Sequence, residues 1–187
     1  MRQRGPTPPA GALAGSLLLA HPSLQDPNFR RSVILLSSHD ENGAMGVVLN
    51  RPLGKRLADL TAEFALSPLG AVPLFQGGPV ETEQVLLCGW RPQADGSGFQ
   101  LMFGIDPQKA MELQGEPDVQ LRAFLGYSGW SGGQLENELQ HNTWVVSPLV
   151  GNLLDGTQND ALWKDILGGL GHEWRLLAEE PEDPSLN

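Results

Sequence analysis

A chain of 187 residues, 40% hydrophobic and 18% charged, is long enough for one domain with a substantial core and short for two. Its net charge of −10 repels phosphate backbones and argues against a nucleic-acid binder, and no run reaches the ~20 apolar residues of a membrane-spanning helix. Cys88 is the only cysteine, which excludes an intrachain disulfide, while twenty-three Gly and fifteen Pro favour a turn-rich sheet protein over a helical bundle.

The charge is uneven. Residues 1–56 hold seven Lys/Arg against three acids, a net +4, which leaves −14 for the remainder. Residues 1–14 are Pro/Gly-rich and predict a mobile arm. Arg2 and Arg4 precede the apolar stretch Ala12–Ala20, but Pro6, Pro8 and Pro9 interrupt a secretory pattern, so a cytoplasmic location is expected. Ser16–Ala20 reads as a first short strand.

The stretch Asp26–Pro52 organises the chain. Ser32–His39 and Met45–Asn50 are apolar runs flanking Asn42-Gly43, a strong hairpin signal in which both turn residues tolerate positive φ. The runs are apolar at successive positions, which predicts a hairpin covered on both faces. Arg51-Pro52 ends the second strand, since proline cannot donate to a ladder. Leu57–Phe64 has helical spacing, Leu74–Gln76 is a short strand, and Val85–Trp90 and Phe99–Phe103 predict strands around the loop 91–98. Cys88 lies in an apolar run and reads as a buried structural thiol.

Asp106-Pro107 opens a helix running to about Leu113, with Asp as N-cap and Pro at the first position. Val119–Tyr127 predicts a strand with Leu121, Ala123 and Leu125 on one face, and Gly126–Gly133 a glycine-dense turn. Gln134–Gln140 follows as a helix with Leu135 and Leu139 inward, then Trp144–Ser147 as a strand. Asn159–Leu170 is amphipathic and capped by Asn159 or Asp160. The domain is expected to span 15–175, with 176–187 an acidic disordered tail.

Four groups of residues carry candidate chemistry. Gly129-Trp130-Ser131-Gly132-Gly133 satisfies G-x-S-x-G between a predicted strand and helix, the context of a nucleophile elbow. Asp155, Asp160 or Asp165 with His172 would complete the order Ser, acid, His. Only 54 residues follow the motif, however, too few for the alternating strand–helix series of that fold, and His172 follows a glycine-rich helix end. Gly77-Gly78-Pro79 reads as a sharp turn, with a backbone anion nest as its alternative. His39-Asp40-Glu41 reads as a solvated turn, and no histidine or cysteine spacing suits a metal. Tyr127, Trp130, Gln134 and Glu138 are the fourth group: Gln134 and Glu138 share a helix face and can converge with the aromatics at a groove, against the favoured reading that Trp130 packs as core and Glu138 caps or pairs. With Gly77 and Gly78 these are the candidate ligand- or partner-binding residues.

Three blocks together resemble one family. They are Asp26-Pro27-Asn28-Phe29 through Gly43-Ala44-Met45-Gly46 to Leu49-Asn50-Arg51-Pro52; then Gly77-Gly78-Pro79-Val80; then Gly126-Tyr127-Ser128-Gly129-Trp130, Gly133 to Glu138, and Asn142 with Trp144. Their order and spacing are similar to the YqgE/AlgH family of bacterial proteins over about Gly15 to Leu170. The resemblance implies an α+β fold, a mixed, bifurcated β-sheet folded into a pseudo-barrel with short helices packed around it. Members are often labelled transcriptional regulators, and the family carries no established catalytic residues, cofactor or DNA-binding motif. The expectation is therefore a non-catalytic binding or regulatory protein, without cofactor or metal, that contacts an unidentified protein or small molecule and regulates indirectly. The alternatives are a serine hydrolase at Ser131 and direct DNA binding through the basic N-terminal portion.

Overall fold

The two apolar runs of the hairpin decide the architecture, because a strand that is apolar at every position must be buried from both sides. The computed structural model describes residues 13–95, 99–149 and 159–181. In it β2 (Val33–Asp40) and β3 (Gly43–Val48) pair antiparallel, with Ile34 opposite Val48 and Leu36 opposite Gly46. β1 (Leu17–Ala20) flanks β2, and β9 (Trp144–Ser147) flanks β1, both antiparallel.

The sheet divides at β8 (Gln120–Ser131). This strand pairs antiparallel with β3 through residues 128–131, parallel with β5 (Pro73–Gln76), and antiparallel with β6 (Val80–Pro92). β4 (Pro52–Arg56) borders β5, and β7 (Phe99–Phe103) borders β6. Among the described residues nine strands form one mixed sheet curled into a half-barrel, and the fold is α+β as the resemblance implied. Short helices pack on it: α1 (Ala62–Ala65), α2 (Pro107–Gln114), α3 (Gln134–Gln140), α4 (Asp160–Gly169) and α5 (His172–Glu179). Among the described residues no helix is long and apolar enough to cross a membrane.

Period-two alternation sorts the hairpin's side chains into two cores. Leu17, Leu19, Val33, Leu35, Val47 and Leu49 point to one, where Phe124, Trp90 and Trp163 also lie. Leu18, Ala20, Ile34, Leu36 and Val48 point to the other, closed by Trp130, Trp144 and Leu135. Asp106 and Asn159 cap α2 and α4 by accepting from the N–H groups of Lys109 and Ala161, as their positions predict.

The structure corrects several readings. Asp40 pairs with Gly43, so Glu41 and Asn42 form the hairpin tip, and Asn42 does not take a positive φ. The Asp40 carboxylate instead accepts the Asn42 N–H at 2.7 Å, an Asx turn. Gly43 does adopt φ +142°, and a Cβ there would lie 2.2 Å from the Trp130 carbonyl oxygen on β8. Residues 126–131, expected as a turn, continue β8, and only Gly132 and Gly133 turn. Pro52 opens the strand β4 rather than merely ending one. The expected helix 57–64 splits into a 3₁₀ turn at Leu57–Asp59 and α1, which Thr61 caps.

Both domain boundaries shift. Leu13, in the expected arm, is buried against the second core. The expected tail includes the last turn of α5, where Ala178 joins the first core. Residues 1–12 and 182–187 lie outside the described residues.

One core group is a cation. Arg122 is 5% exposed, its guanidinium 4.4 Å from the Phe75 ring centroid and 5.2 Å from that of Trp90. Its Nη1 donates to the Leu49 carbonyl at 3.4 Å, and burial pulls its pKa down to about 10. Desolvating the charge costs folding free energy, while two aromatic faces return roughly 1–2 kcal/mol each. We expect Arg122→Met, which keeps the volume and removes the charge, to stay within about 1 kcal/mol of the parent protein in urea unfolding. Arg122→Ala leaves a cavity and is expected to cost about 3 kcal/mol. Equal losses in the two variants would show that the charge, not the packing, is what the core needs.

Candidate functional site

Two of the sequence-predicted groups turn out to be framework. Trp130 points into the second core from β8, and the Gly132-Gly133 turn brings α3 back beside it. There Gln134 and Glu138, four apart on one helix face, do meet Trp130. Glu138 Oε2 accepts the indole N–H of Trp130 at 2.9 Å and that of Trp144 at 2.7 Å, while Oε1 accepts from Gln134 Nε2 at 3.0 Å. Gln134 Oε1 in turn accepts from the Ser131 N–H at 3.1 Å. The two indoles meet edge to face at 5.9 Å, with Phe29 against Trp144 at 5.7 Å. Their polar atoms are thus engaged with one another.

Tyr127 lies on the opposite face of β8 and packs with the first core. Gly77 and Gly78 sit against β8 as well. The Gly77 carbonyl accepts from the Val48 N–H at 2.9 Å and the Ser128 hydroxyl at 3.1 Å. The structure therefore unites Trp130, Gln134 and Glu138 and leaves Tyr127, Gly77 and Gly78 elsewhere.

Ser131 ends β8 and does not adopt positive φ. Its hydroxyl donates to Gln134 Oε1 at 3.3 Å. Of its expected partners, Asp155 lies outside the described residues, His172 opens α5, and Asp160 stands near Arg51. His39, expected in a solvated turn, is buried, and its Nε2 meets Glu136 Oε1 at 2.6 Å. Hydrogen bonding of its own backbone N–H, then His39, holds the Glu136 carboxyl below its usual range. Cys88 is buried too, and desolvation pushes its thiol up to about 12, far from a reactive thiolate. Among the described residues no three His, Cys, Asp or Glu side chains gather to hold a metal ion.

An open site lies where segments distant in sequence meet. The turn before β2 contributes Pro27 and Arg30, and the β3–β4 corner contributes Asn50, Arg51, Pro52 and Leu53. Gln76 ends β5, and Asn159 and Asp160 begin α4. Together they line a cleft of about 410 Å³, within the range of small-molecule sites. A hollow of about 60 Å³ adjoins it, reaching Asn28, Val48, Gly78 and Pro79. The first two blocks of the resemblance, far apart along the chain, thus share one wall.

Asn50 holds that wall together from a buried position. Its Oδ1 accepts the Val33 N–H at 2.9 Å, and its Nδ2 donates to the carbonyls of Arg31 at 2.8 Å and Asn159 at 3.2 Å. One side chain so fixes the start of β2, the preceding turn and the cap of α4. Arg51 is steered by backbone: Nη1 donates to the Asn50 carbonyl at 3.4 Å and Nη2 to that of Arg30. Asp160 stands 3.8 Å from Nη1. The Gln76 N–H donates to the Arg51 carbonyl at 2.9 Å, tying β5 to the corner. Gln76 lines both the cleft and its hollow, and Asn28 lines the hollow.

A neighbouring cleft of about 430 Å³ shares Arg30 and contains Arg31 and Trp163. Arg31 donates to the Glu180 carbonyl at 2.9 Å and lies over the Trp163 ring at 5.3 Å, so its guanidinium already serves the fold. Sequence reasoning missed Arg30, Asn50, Arg51 and Gln76 as site residues. The signal for two of them was present in Leu49-Asn50-Arg51-Pro52, read as the end of a strand and as part of the resemblance but not as a site.

The sequence model of the AlgH-like family matches residues 17–175. A UPF0301 protein of Streptomyces avermitilis is 38% identical over 187 residues, covering 94% of this chain and 96% of its own. A UPF0301 protein of Bacteroides fragilis is 36% identical over 179 residues, covering 92% and 90%. Among solved structures, the AlgH protein of Pseudomonas aeruginosa superposes with a TM-score of 0.65 at 30% identity, covering 98% of this chain and 100% of that one. Protein DIP2367 of Corynebacterium diphtheriae gives 0.68 at 25% identity, covering 96% and 95%.

Proposed function

This chain belongs to the AlgH-like family, and from its cleft we propose a non-catalytic binding protein, regulatory in effect, that holds a small ligand between the 26–31 turn and the start of α4. The observation that carries this reading is the wall pinned by Asn50, whose side chain joins its own β3–β4 corner to the turn before β2 and to the start of α4 beside one open space. Arginine and carboxamide side chains recognise by hydrogen bonding and charge. They lack the nucleophile–base pairing that bond-making would need, and Ser131 is joined to a glutamine. Regulation would then act through the bound ligand or a protein partner, not through DNA contact.

Amide chemical-shift mapping with a mixed set of charged and neutral fragments tests the site. Shifts are expected to concentrate at Arg51, Gln76, Gly78 and Asp160. They should disappear in Leu53→Trp, which fills the cleft from an exposed position. Shifts scattered over the surface, or centred on Trp130 and Glu138, would remove the assignment. A fluorophosphonate probe is expected to leave the folded protein unlabelled, and covalent capture at Ser131 would restore the hydrolase. A salt-sensitive gel shift of duplex DNA would restore the third reading.

A further inference from the structure

Arg122 is a cation without a counter-ion among the described residues. It stands on β8, 5% exposed, and buried charges are ordinarily paired. Among the described residues its guanidinium makes one hydrogen bond, to the Leu49 carbonyl at a long 3.4 Å, and has no carboxylate within ion-pair distance. A guanidinium carries five N–H donors, so protein acceptors answer little of this one. Cys88, opposite it in the β6–β8 ladder, supplies no negative charge, because burial pushes that thiol up to about 12. The lowered pKa of Arg122 itself traces to burial, with no acid opposing it.

A second group beside it also lacks a partner. The Trp90 indole nitrogen is buried with no acceptor among the described residues, although a buried indole N–H ordinarily finds one. Trp90 and Arg122 are neighbours, the guanidinium carbon 5.2 Å from the indole ring centroid. Phe75, at 4.4 Å, offers only its π system. One acceptor placed between guanidinium and indole would serve both donors. A negative charge there would offset the buried cation, which the dipole of a water molecule does only in part. The surroundings limit its size and charge. Leu49, Phe75, Trp90 and Phe124 belong to one apolar cluster, which suits a ligand of few atoms and disfavours a second negative charge.

We propose that the half-barrel interior holds a small monovalent anion, of the size of chloride or nitrate, between the Arg122 guanidinium and the Trp90 indole N–H. The ion completes the charge of the core. It stabilises the folded chain and is released on unfolding. Arg122 and Trp90 do not line the cleft between the 26–31 turn and α4, so the two sites stand or fall separately.

Urea unfolding of the full chain at constant ionic strength, with sodium chloride replacing sodium gluconate, reads this linkage. Gluconate is monovalent but too large for the interior. Arg122→Met shares every general effect of salt on the surface and serves as the baseline. Above the dissociation constant, each tenfold rise in chloride is expected to raise the parent's folding equilibrium constant about tenfold relative to that variant. In gluconate the two proteins should remain close in stability. Trp90→Phe keeps a ring and removes the N–H, and should weaken the apparent chloride affinity by about three- to tenfold. Arg51→Gln, at the open cleft, should keep the full dependence. The chloride-35 resonance gives a direct reading: the folded parent is expected to broaden it, nitrate to reverse the broadening, and Arg122→Met to leave it narrow.

A parent-to-variant ratio that stays flat as chloride rises would overturn the proposal and leave water to serve Arg122 and Trp90. So would broadening undiminished in Arg122→Met, or a chloride dependence lost in Arg51→Gln, since the ion would then sit elsewhere. Should Arg122→Met fail to fold, Trp90→Phe decides by the same titration against the parent. A weakened dependence supports the proposal and an unchanged one overturns it. Ligand binding at the cleft is read independently, by the fragment shifts.

Discussion

Gly78→Ala is expected to abolish folding or to cost more than about 4 kcal/mol, the range that marks a specific structural failure. A methyl group built on Gly78 would lie 2.2 Å from both the carbonyl carbon and oxygen of Tyr127 and 2.5 Å from the Ser128 nitrogen. Those atoms are backbone, and no rotamer change can move them aside. They belong to the part of β8 where the ladder passes from β6 to β3, so a local retreat would separate two halves of the sheet. Gly169→Ala is the control. Nothing lies within 4 Å of a methyl group there, and alanine at the end of α4 should be neutral or stabilising by up to about 1 kcal/mol. Urea unfolding of both variants measures the contrast. A folded Gly78→Ala protein with stability within 1 kcal/mol of the parent would show that β6 leaves β8 by another route.

Glu138→Ala is expected to lose roughly 3 kcal/mol and to shift tryptophan emission to the red. The carboxylate receives two indole N–H groups from nearly buried rings, Trp130 and Trp144, together with the Gln134 amide. Removing it strands two donors that have no route to water except through opening of the core, at about 1–3 kcal/mol each. Glu138→Gln keeps an oxygen that can serve both indoles but turns an N–H₂ group toward Gln134. That conflict should cost about 1 kcal/mol. Differential scanning fluorimetry orders the three proteins. A Glu138→Ala protein as stable as Glu138→Gln would mean the indoles have found other acceptors. The same measurement bears on function, because a residue needed to hold two tryptophans in the core has no free atom to offer a partner.

Local signals in the sequence were strong where the physics is local. The hairpin, the Asp106-Pro107 helix start, the Asn159 cap and the helix 134–140 all rest on contacts within a few residues. Glycine misled the reading at 126–129, where a cluster of small residues suggested a turn. Gly126 adopts φ +71° and has a neighbour pressing on it: a methyl group there would lie 2.6 Å from the Gly78 carbonyl oxygen. Crowding of this kind is long-range and leaves no periodic trace. β4 was equally hidden, since Pro52, Gly54, Lys55 and Arg56 have poor strand propensity and depend on β5 for their conformation. α5 follows a glycine, and its residues 176–179 were expected as the beginning of the tail.

The candidate site was less legible than the fold. Gln134 and Glu138 do meet Trp130, in the closed, core-packed arrangement that the sequence reading favoured over a groove. The open cleft required Pro27, Arg51, Gln76 and Asp160 to be near one another, and only the three-dimensional course of the chain brings them there. Asn50 illustrates the difficulty: its three hydrogen bonds reach 17, 19 and 109 residues away, and no spacing rule links such positions.

The strand β8 has a bearing on how the protein is made. Its pairing partners β3, β5 and β6 all precede it in the sequence, so during synthesis they wait without their shared neighbour. Until residue 131 has left the ribosome, the strand that bridges the hairpin 33–48 to the segment 73–92 is missing, and their apolar edges stay open to other chains. Pauses in translation before that point would lengthen the exposure, and nascent chains released short of it should associate with holdase chaperones.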